Sequence, residues 1–203
     1  MRLTTSYPIG KRRIELAQGS ITKYIADAIV CPANGDLEML AVPGGIQYAI
    51  LKDGGAKIFE EASRVAEKYE REHGPSFDGG IEGRVPVFSA HVTSGGSLPV
   101  RHVIHSVAVD YSPTGGLICD KDVITKSTKN ILDKCDELRL ESVGFPTLGT
   151  GLYEVPVDES ALAIASISKN HLKGNTSLKR VGLVIYSPDD YSIVKDIFDR
   201  KLI

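Results

Sequence analysis

A loop with one asparagine and a glycine pair has the residue types expected where a nucleotide binds. Asn34 follows a short apolar run, and Gly44-Gly45 opens a predicted helix. The Asn34 amide can hydrogen-bond a sugar hydroxyl, and the glycines let a ligand approach the helix N-terminus closely. N–H groups there lack partners inside the helix and carry partial positive charge, which suits a phosphate. Taken alone, these residues are more often an ordinary turn.

A second glycine loop, residues 149–153, also follows a predicted strand and reads Gly149-Thr150-Gly151-Leu152-Tyr153. It places several backbone N–H groups in a small space, which is what cradling a pyrophosphate requires. Neither loop matches the spacing of a P-loop or of a dinucleotide-binding fingerprint. The sequence therefore indicates backbone anion sites without naming the ligand.

Tyr186 lies at the end of the last apolar run, where an aromatic ring can stack on a base. A strand-end tyrosine can equally cap the core with its hydroxyl in water. Asp36 and Glu38 flank the first loop, either as acids and bases or as solvated charges. His105 lies in an apolar strand and is predicted to be a hydrogen-bonded core residue. No histidine or cysteine spacing indicates a metal site.

Length and charge restrict the class of protein. The 203 residues fit one domain, and the net charge of −2 argues against nucleic acid or an acidic membrane as partner. No run of eighteen apolar residues predicts a membrane span, and the first residues lack a signal-peptide core. Three cysteines without CxxC spacing favour reduced thiols, and hence a cytoplasmic protein.

Hydrophobic periodicity predicts alternating strands and helices. The predicted strands are 12–18, 28–31, 85–92, 101–109, 142–145 and 180–186, and the predicted helices are 45–52, 56–72, 120–139, 156–172 and a last one from Pro188. Residues 73–83 and 112–116 are predicted loops. One strand pair has no helix between its members, so we expect a mixed sheet with helices on both faces. Both glycine loops would then lie at the carboxyl ends of strands, where ligands bind in such folds.

Five motifs, in order, resemble the macro domain family of ADP-ribose-binding modules. The family's GDIT…DAIVNAAN corresponds to GSIT…DAIVCPAN at 19–22 and 27–34, and its GGGVxxAI corresponds to PGGIQYAI at 43–50. Its LPxxxVIHTVGP corresponds to LPVRHVIHSVAV at 98–109, and its FPAISxGIYGxP to FPTLGTGLYEVP at 145–156. The strand VGLVIYS before the last helix completes the series, so the resemblance covers nearly the whole chain.

The resemblance implies a single three-layer α/β/α domain over residues 1–203, with a mixed, mainly parallel central sheet. It also implies ADP-ribose or an ADP-ribosylated protein as the partner, and neither a cofactor nor a metal. Asn34 would contact the distal ribose, and Tyr186 would stack on adenine near Ser20 and Ile21. The remaining implied ligand-binding residues are Gly44, Gly45, Ile46, Gly149, Thr150, Gly151, Leu152 and Tyr153.

Departures from the family pattern fall at both ends of this site. The family's aspartate that accepts a hydrogen bond from the adenine amino group is Ser20 here. Gln47 stands where one hydrolase branch has an aspartate that activates water, and Pro43 replaces the first glycine of the triple. Members without that aspartate are thought to use a water held between the substrate phosphate and the catalytic loop.

The resulting expectation is an ADP-ribosyl hydrolase with Asn34 and Asp36 as catalytic residues. Its substrates would be ADP-ribosylated side chains, ADP-ribose 1″-phosphate or O-acetyl-ADP-ribose. Because Gln47 is not an acid, a non-catalytic ADP-ribose reader is the main alternative. Binding of single-stranded or poly(A) RNA is a third class, and the absence of a basic surplus argues against it.

Overall fold

The computed structural model describes residues 1, 3–38, 43–78, 81–111 and 116–202. The strands in these ranges are β1 Leu3–Ile9, β2 Arg12–Gln18, β3 Ala28–Pro32, β4 Ser76–Asp78, β5 Ile81–Gly83, β6 Ala90–Ser94, β7 His102–Ser106, β8 Asp110–Tyr111, β9 Leu117–Ile118, β10 Ser142–Phe145 and β11 Arg180–Ile185. The helices are α1 Ile46–Gly54, α2 Lys57–His73, α3 Lys121–Glu137, α4 Val157–Lys173 and α5 Pro188–Lys201, with a 3-10 helix at Ile21–Lys23.

The central sheet has seven strands in the order β1-β2-β11-β10-β3-β7-β6. The four inner pairs, from β2–β11 to β3–β7, are parallel. The two outermost pairs, β1–β2 and β6–β7, are antiparallel. The predicted mixed, mainly parallel sheet is confirmed. The carboxyl ends of β2, β11, β10, β3 and β7 consequently lie along one edge of the sheet, where both glycine loops begin.

Side-chain alternation along the inner strands divides the core into two layers. In β3, Ala28 and Val30 pack with buried residues of α3, α4 and α5. Ile29 and Cys31 face the opposite way and pack with buried residues of α1 and α2. Because successive side chains in a strand point to opposite faces, one apolar run serves both layers. The arrangement is the expected three-layer α/β/α architecture.

The first strand was not predicted. β1 pairs with β2 over its whole length, from Leu3 opposite Gln18 to Ile9 opposite Arg12. Only Tyr7 and Ile9 of this strand are buried, and Pro8 lies between them. An edge strand tolerates proline because one side of its backbone needs no partner, so the pattern is weaker than that of an inner strand.

The predicted strand 85–92 was wrong in its first half, since β6 begins only at Ala90. Phe88 has a φ of +62°, which an extended strand does not accommodate. Its N–H donates to the carbonyl oxygen of Val107, the residue that follows β7, so this segment is an irregular turn beside the end of that strand. The predicted loop 73–83 was also wrong in part, because β4 and β5 form a short antiparallel hairpin there. Most of the predicted loop 112–116 lies outside the described residues.

Two helix starts form as the sequence predicts. The Asp120 carboxylate accepts the N–H of Val123 at 2.9 Å and caps α3. The Ser187 hydroxyl accepts the N–H of Asp190 at 3.3 Å and caps α5, in which Pro188 occupies the first turn. Pro156 was predicted in the first turn of α4 but occupies the N-cap position, one residue earlier. These caps satisfy N–H groups that a helix leaves unpaired.

Tyr24 lies across two glycines of adjacent strands, Gly144 in β10 and Gly182 in β11, which pair in register. A Cβ on Gly182 would lie 2.1 Å from the Tyr24 hydroxyl oxygen, and one on Gly144 would lie 2.6 Å from the ring. The Tyr24 hydroxyl donates to the Glu15 carboxylate at 2.8 Å. The glycines therefore form a recess that seats Tyr24, and with it the segment immediately after the 3-10 helix.

Candidate functional site

A cleft of about 410 Å³ opens at the carboxyl ends of β2, β10 and β11, beside α1. The residues that line it are Gly19, Ser20, Ile21, Gly44, Gly45, Ile46, Tyr48, Ala49, Lys52, Asp53, Pro146, Thr147, Val184 and Tyr186. Its volume lies within the range of about 300–1,000 Å³ that is typical of small-molecule sites. It occupies the position that the strand pattern predicts for a ligand.

One wall of the cleft is the N-terminus of α1. Gly45 is the N-cap and makes no side-chain capping bond, and the first turn contains no acidic residue. Gly44 has a φ of +87°, a left-handed conformation that favours glycine. The first N–H groups of the helix have no intrahelical acceptor, and the helix dipole adds partial positive charge there. This wall suits an anionic group.

The opposite wall begins with Pro146 and Thr147 after β10. The Thr147 hydroxyl lies 3.0 Å from that of Thr150. At Gly149 the backbone has a φ of +75° and lies so close to Cys119 that a Cβ would be 2.6 Å from its sulfur. Glycine is therefore required at this position for both conformation and space. The start of the second glycine loop is held in a fixed shape.

At one end of the cleft, called the base end because the sequence predicts a stacked base there, an aromatic ring is exposed. Tyr186 is 81% exposed, an unusually large fraction for a tyrosine, so its ring does not cap the core. Its backbone is held in place because its carbonyl oxygen accepts the Gln18 side-chain amide at 2.7 Å. Ile21, the first residue of the 3-10 helix after β2, is buried and apolar. This end of the cleft is therefore lined by one exposed aromatic and one buried apolar side chain.

Asn34 closes its own turn. Its side-chain oxygen accepts the backbone N–H of Asp36 at 3.2 Å and that of Glu38 at 3.1 Å. Gly35 is bonded from the other side, because its carbonyl oxygen accepts the N–H groups of Arg84 and Val85. The oxygen is thus occupied as an acceptor, and the Nδ2 group, the only donor of the Asn34 amide, is the part that can bind a ligand.

Gln47 has a structural contact that the sequence did not suggest. Its side-chain Nε2 donates to the Pro32 carbonyl oxygen at 2.8 Å, which links the first turn of α1 to the end of β3. Cys31, one residue earlier in β3, is fully buried, and burial raises the pKa of its thiol to about 12. Gln47 and Cys31, which replaces the first asparagine of the family's NAAN, are thus accommodated by hydrogen bonding and packing.

The cleft contains some of the predicted site residues and not others. Those that line it are Ser20, Ile21, Gly44, Gly45, Ile46 and Tyr186. Those that do not line it are Asn34, Asp36, Gly149, Thr150, Gly151, Leu152 and Tyr153. Leu152 is 82% exposed on the same loop, while Tyr153 packs against buried residues of the core. The binding and catalytic roles assigned to both groups from sequence stay predictions.

Sequence reasoning missed several lining residues, namely Tyr48, Ala49, Lys52, Asp53, Pro146 and Thr147. Helical spacing could have found part of this set. Positions three, four and seven residues after Gly45 lie on one face of a helix, and these are Tyr48, Ala49 and Lys52. Asp53 needed tertiary information, because its partner Thr22 is 31 positions away in the chain.

Other chemistry is not supported within the described part of the chain. No three His, Cys, Asp or Glu side chains there lie close enough to hold a metal ion together. The three cysteines are free and buried, as the sequence predicts. His105 is buried and its Nε2 lies 3.0 Å from the Thr93 hydroxyl, so it is the hydrogen-bonded core residue that was expected. Among the helices of the described ranges, none has the length and hydropathy that crossing a bilayer requires.

Comparison with known proteins identifies the fold and the family. The macro domain model matches residues 30–164. An uncharacterised protein of Sulfolobus acidocaldarius is 35% identical over 92% of this chain and 91% of its own length. O-acetyl-ADP-ribose deacetylase 1 of Pantoea vagans is 28% identical over 90% of this chain and 96% of its own.

Solved structures agree with these matches. A macrodomain of Oceanobacillus iheyensis, in a structure with ADP, is 25% identical and covers 98% of this chain with a TM-score of 0.80. A mutant of that macrodomain with ADPR gives the same TM-score of 0.80. The order of the strands, the glycine loops at their carboxyl ends and the family match lead to one conclusion: this chain belongs to the macro domain family.

Proposed function

We propose that this protein binds ADP-ribose or an ADP-ribose derivative in the cleft and hydrolyses ADP-ribosyl linkages. The observation that carries the proposal is the pairing, in one cleft, of a helix N-terminus with a solvent-exposed aromatic ring. Gly44 and Gly45 supply the anion-binding end, and Tyr186 and Ile21 supply the base-binding end. A nucleoside diphosphate carries phosphates at one end and a base at the other, which match these two ends of the cleft.

Family relatives support the ligand class. The Oceanobacillus iheyensis macrodomain has been solved with ADP and with ADPR, and it covers nearly all of this chain. The Pantoea vagans relative is named an O-acetyl-ADP-ribose deacetylase, which makes ester hydrolysis on the distal ribose one of the proposed reactions. Protein-linked ADP-ribose and the 1″-phosphate are the other proposed substrates.

The hydrolytic step would rest on positioning rather than on a carboxylate of α1. Gln47 cannot act as a general base, because an amide has no basic site at neutral pH. In the proposed reaction on a protein linkage, water attacks the anomeric carbon of the distal ribose and the bond to the protein side chain breaks. A phosphate oxygen of the substrate would accept the water proton. Asn34 would hold the ribose through Nδ2, and Asp36 is the second candidate base.

A non-catalytic reader is the second candidate function. The Gln47 side chain donates to the Pro32 carbonyl oxygen, and the Asn34 oxygen is occupied by turn N–H groups. These bonds stabilise the first loop without providing a base. A protein that binds ADP-ribose tightly and releases no product from any of the three substrate classes would be such a reader.

Binding is tested first, by thermal-shift and calorimetric titration with ADP-ribose, AMP and NAD. A ligand of the native state raises the unfolding free energy in proportion to the logarithm of its concentration. ADP-ribose should stabilise the protein more than the other two do. No shift at millimolar ADP-ribose would exclude both the hydrolase and the reader. Binding of single-stranded RNA that weakens steeply with salt would instead support the third class.

Variants at the exposed ring sharpen this test. Tyr186→Ala should weaken ADP-ribose binding by about 5- to 150-fold, since stacking on one base contributes about 1–3 kcal/mol. Tyr186→Phe should bind nearly as well as the native protein. Ile25→Ala is the matched control, because Ile25 is equally an exposed apolar residue but does not line the cleft. Equal loss in the control would mean that the ring has no specific role.

A further inference from the structure

A carboxylate lies at the base end of the cleft although the family's aspartate is replaced there by Ser20. Asp53, near the end of α1, lines the same cleft as Ser20, Ile21 and Tyr186. Its Oδ2 accepts the Thr22 hydroxyl at 2.6 Å and lies 3.0 Å from the Lys23 ammonium. Thr22 is fully buried. Its hydroxyl therefore cannot exchange Asp53 for a water molecule as its hydrogen-bond partner.

The donor directions in this chain of hydroxyls are fixed. Asp53 is ionised at neutral pH, because the hydrogen bonds from Thr22 and Lys23 lower its pKa, so it can only accept. Thr22 donates its one hydroxyl proton to Asp53. The 2.8 Å contact between the Ser20 and Thr22 hydroxyls therefore has Ser20 as its donor.

Two acceptors remain at the base end as a result. Ser20 has donated its proton, so its hydroxyl oxygen can only accept from a ligand. The second carboxylate oxygen of Asp53, Oδ1, has no hydrogen-bond partner among the described residues. The ion pair with Lys23 does not cancel this character, because Lys23 is 64% exposed and exposed pairs are strongly screened.

We propose that Asp53, directly through Oδ1 and indirectly through Thr22 and Ser20, selects a nucleobase that presents an exocyclic amino group. An amino group donates to both acceptors, whereas a carbonyl oxygen at the same position of the base would face two acceptors and lose its hydrogen bonds. The site would thus prefer adenine to hypoxanthine. The inference rests on the proposed function, since it names how the same cleft chooses its ligand.

The test compares the dissociation constants of ADP-ribose and its inosine counterpart for the native protein and for Asp53→Asn. The native protein should prefer ADP-ribose by about tenfold or more, the size expected of a hydrogen bond to a charged group. Asp53→Asn supplies an amide that can donate, so the preference should shrink by about tenfold and tilt toward hypoxanthine. Thr22→Val should also reduce the preference, because it separates Ser20 from the carboxylate.

The ratio of the two dissociation constants distinguishes selectivity from a structural role, because a distorted cleft would weaken both ligands equally. Asp133→Asn is the matched control, since it removes a carboxylate from an exposed lysine pair on α3, far from the cleft in the chain. A ratio in Asp53→Asn equal to the native ratio, with ADP-ribose still bound, would overturn this inference alone. A native protein that binds neither ligand would overturn the proposed function with it.

Discussion

The two edges of the Asn34 amide have different tasks. The oxygen accepts two N–H groups of its own turn, which leaves the Nδ2 protons for a ligand. A substitution at this position therefore changes both the turn and the ligand contact unless one of them is preserved. Aspartate preserves the acceptor and removes the donors, whereas alanine removes both.

Asn34→Ala is expected to abolish turnover, with at least a 100-fold loss in kcat, because a positioned donor typically contributes that much. Asn34→Asp should lose as much while its thermal midpoint stays near the native value. Asp36→Ala should have the smaller effect, below about tenfold. The measurement is single-turnover release of ADP-ribose from a labelled protein, with a thermal melt for each variant. A larger loss in Asp36→Ala than in Asn34→Ala would show that the main catalytic role was assigned to the wrong residue.

At the scale of residues, motif and local spacing predict only part of the cleft. Gly44, Gly45 and Tyr186 are predictable because a glycine pair and a strand-end aromatic have physical reasons to bind a nucleotide. Asp53 was missed because its role depends on Thr22, a distant residue brought beside it by packing. Gln47 was treated only as a missing acid, since nothing local indicates its bond to the Pro32 carbonyl oxygen.

Among the secondary-structure elements, strands β10 and β11 support the base end through a recess rather than through a binding residue. Gly144 and Gly182 make room for Tyr24, which follows the 3-10 helix that carries Ile21 into the cleft. The Tyr24 hydroxyl bonds to Glu15 of β2, so three adjacent strands hold one ring. The base end is positioned by sheet packing beneath it.

Gly182→Ala should lower the free energy of unfolding by about 1–3 kcal/mol, because the added methyl group must displace Tyr24. The double variant with Gly182→Ala and Tyr24→Ala should lose much less unfolding free energy than the sum of the losses in the two single variants, since the clash is then absent. Urea unfolding of all three variants measures this coupling. Gly174→Ala is the control, because its Cβ would meet no atom closer than 3.4 Å. Additive effects at positions 24 and 182 would contradict the recess.

The strands and helices that pack into the core were predicted, whereas an edge strand and an irregular segment beside the sheet were not. The inner strands and all five helices follow from continuous apolar runs and helical periodicity. β1 escaped prediction because this edge strand contains Pro8 and has only two buried residues, Tyr7 and Ile9. Residues 85–89 read as a strand because their apolar side chains pack inward, although the left-handed Phe88 prevents pairing.

For the molecule as a whole, acidification should be destabilising over a wide range of pH. Burial lowers the pKa of His91 and of His105 from 6.5 to about 4. Burial opposes ionisation of Glu15, Asp27 and Asp136, but their hydrogen bonds prevail and lower the pKa of each. In every case the unfolded chain binds more protons than the folded one as the pH falls.

The free energy of unfolding should therefore decrease from pH 7 toward pH 4, because His91 and His105 take up protons more readily in the unfolded chain. Each histidine should lower it by about 3 kcal/mol at the most. It should decrease further below pH 4, where the carboxylates lose their stabilising bonds. Urea unfolding between pH 7 and pH 4 tests the histidine contribution. His105→Gln should flatten this slope, while the exposed control His73→Gln should keep it. An unchanged slope in His105→Gln would show that His105 titrates normally in the fold.

The hydrogen bond between Gln18 and Tyr186 joins positions 168 residues apart and holds the backbone of Tyr186 at the base end of the cleft. During synthesis the ribosome makes β2 early and β11 late, with on the order of 10–30 s between them at ordinary elongation rates. Throughout that interval β2 lacks its parallel neighbour, and Tyr186 does not yet exist beside Ser20. A nascent chain can acquire the fold and the base-binding end only after nearly all of these residues have left the ribosome. Nucleotide binding at this cleft is thus a property that a nascent chain can have only after both β2 and β11 have been synthesised, and ligand capture would report that Tyr186 has reached its place beside β2.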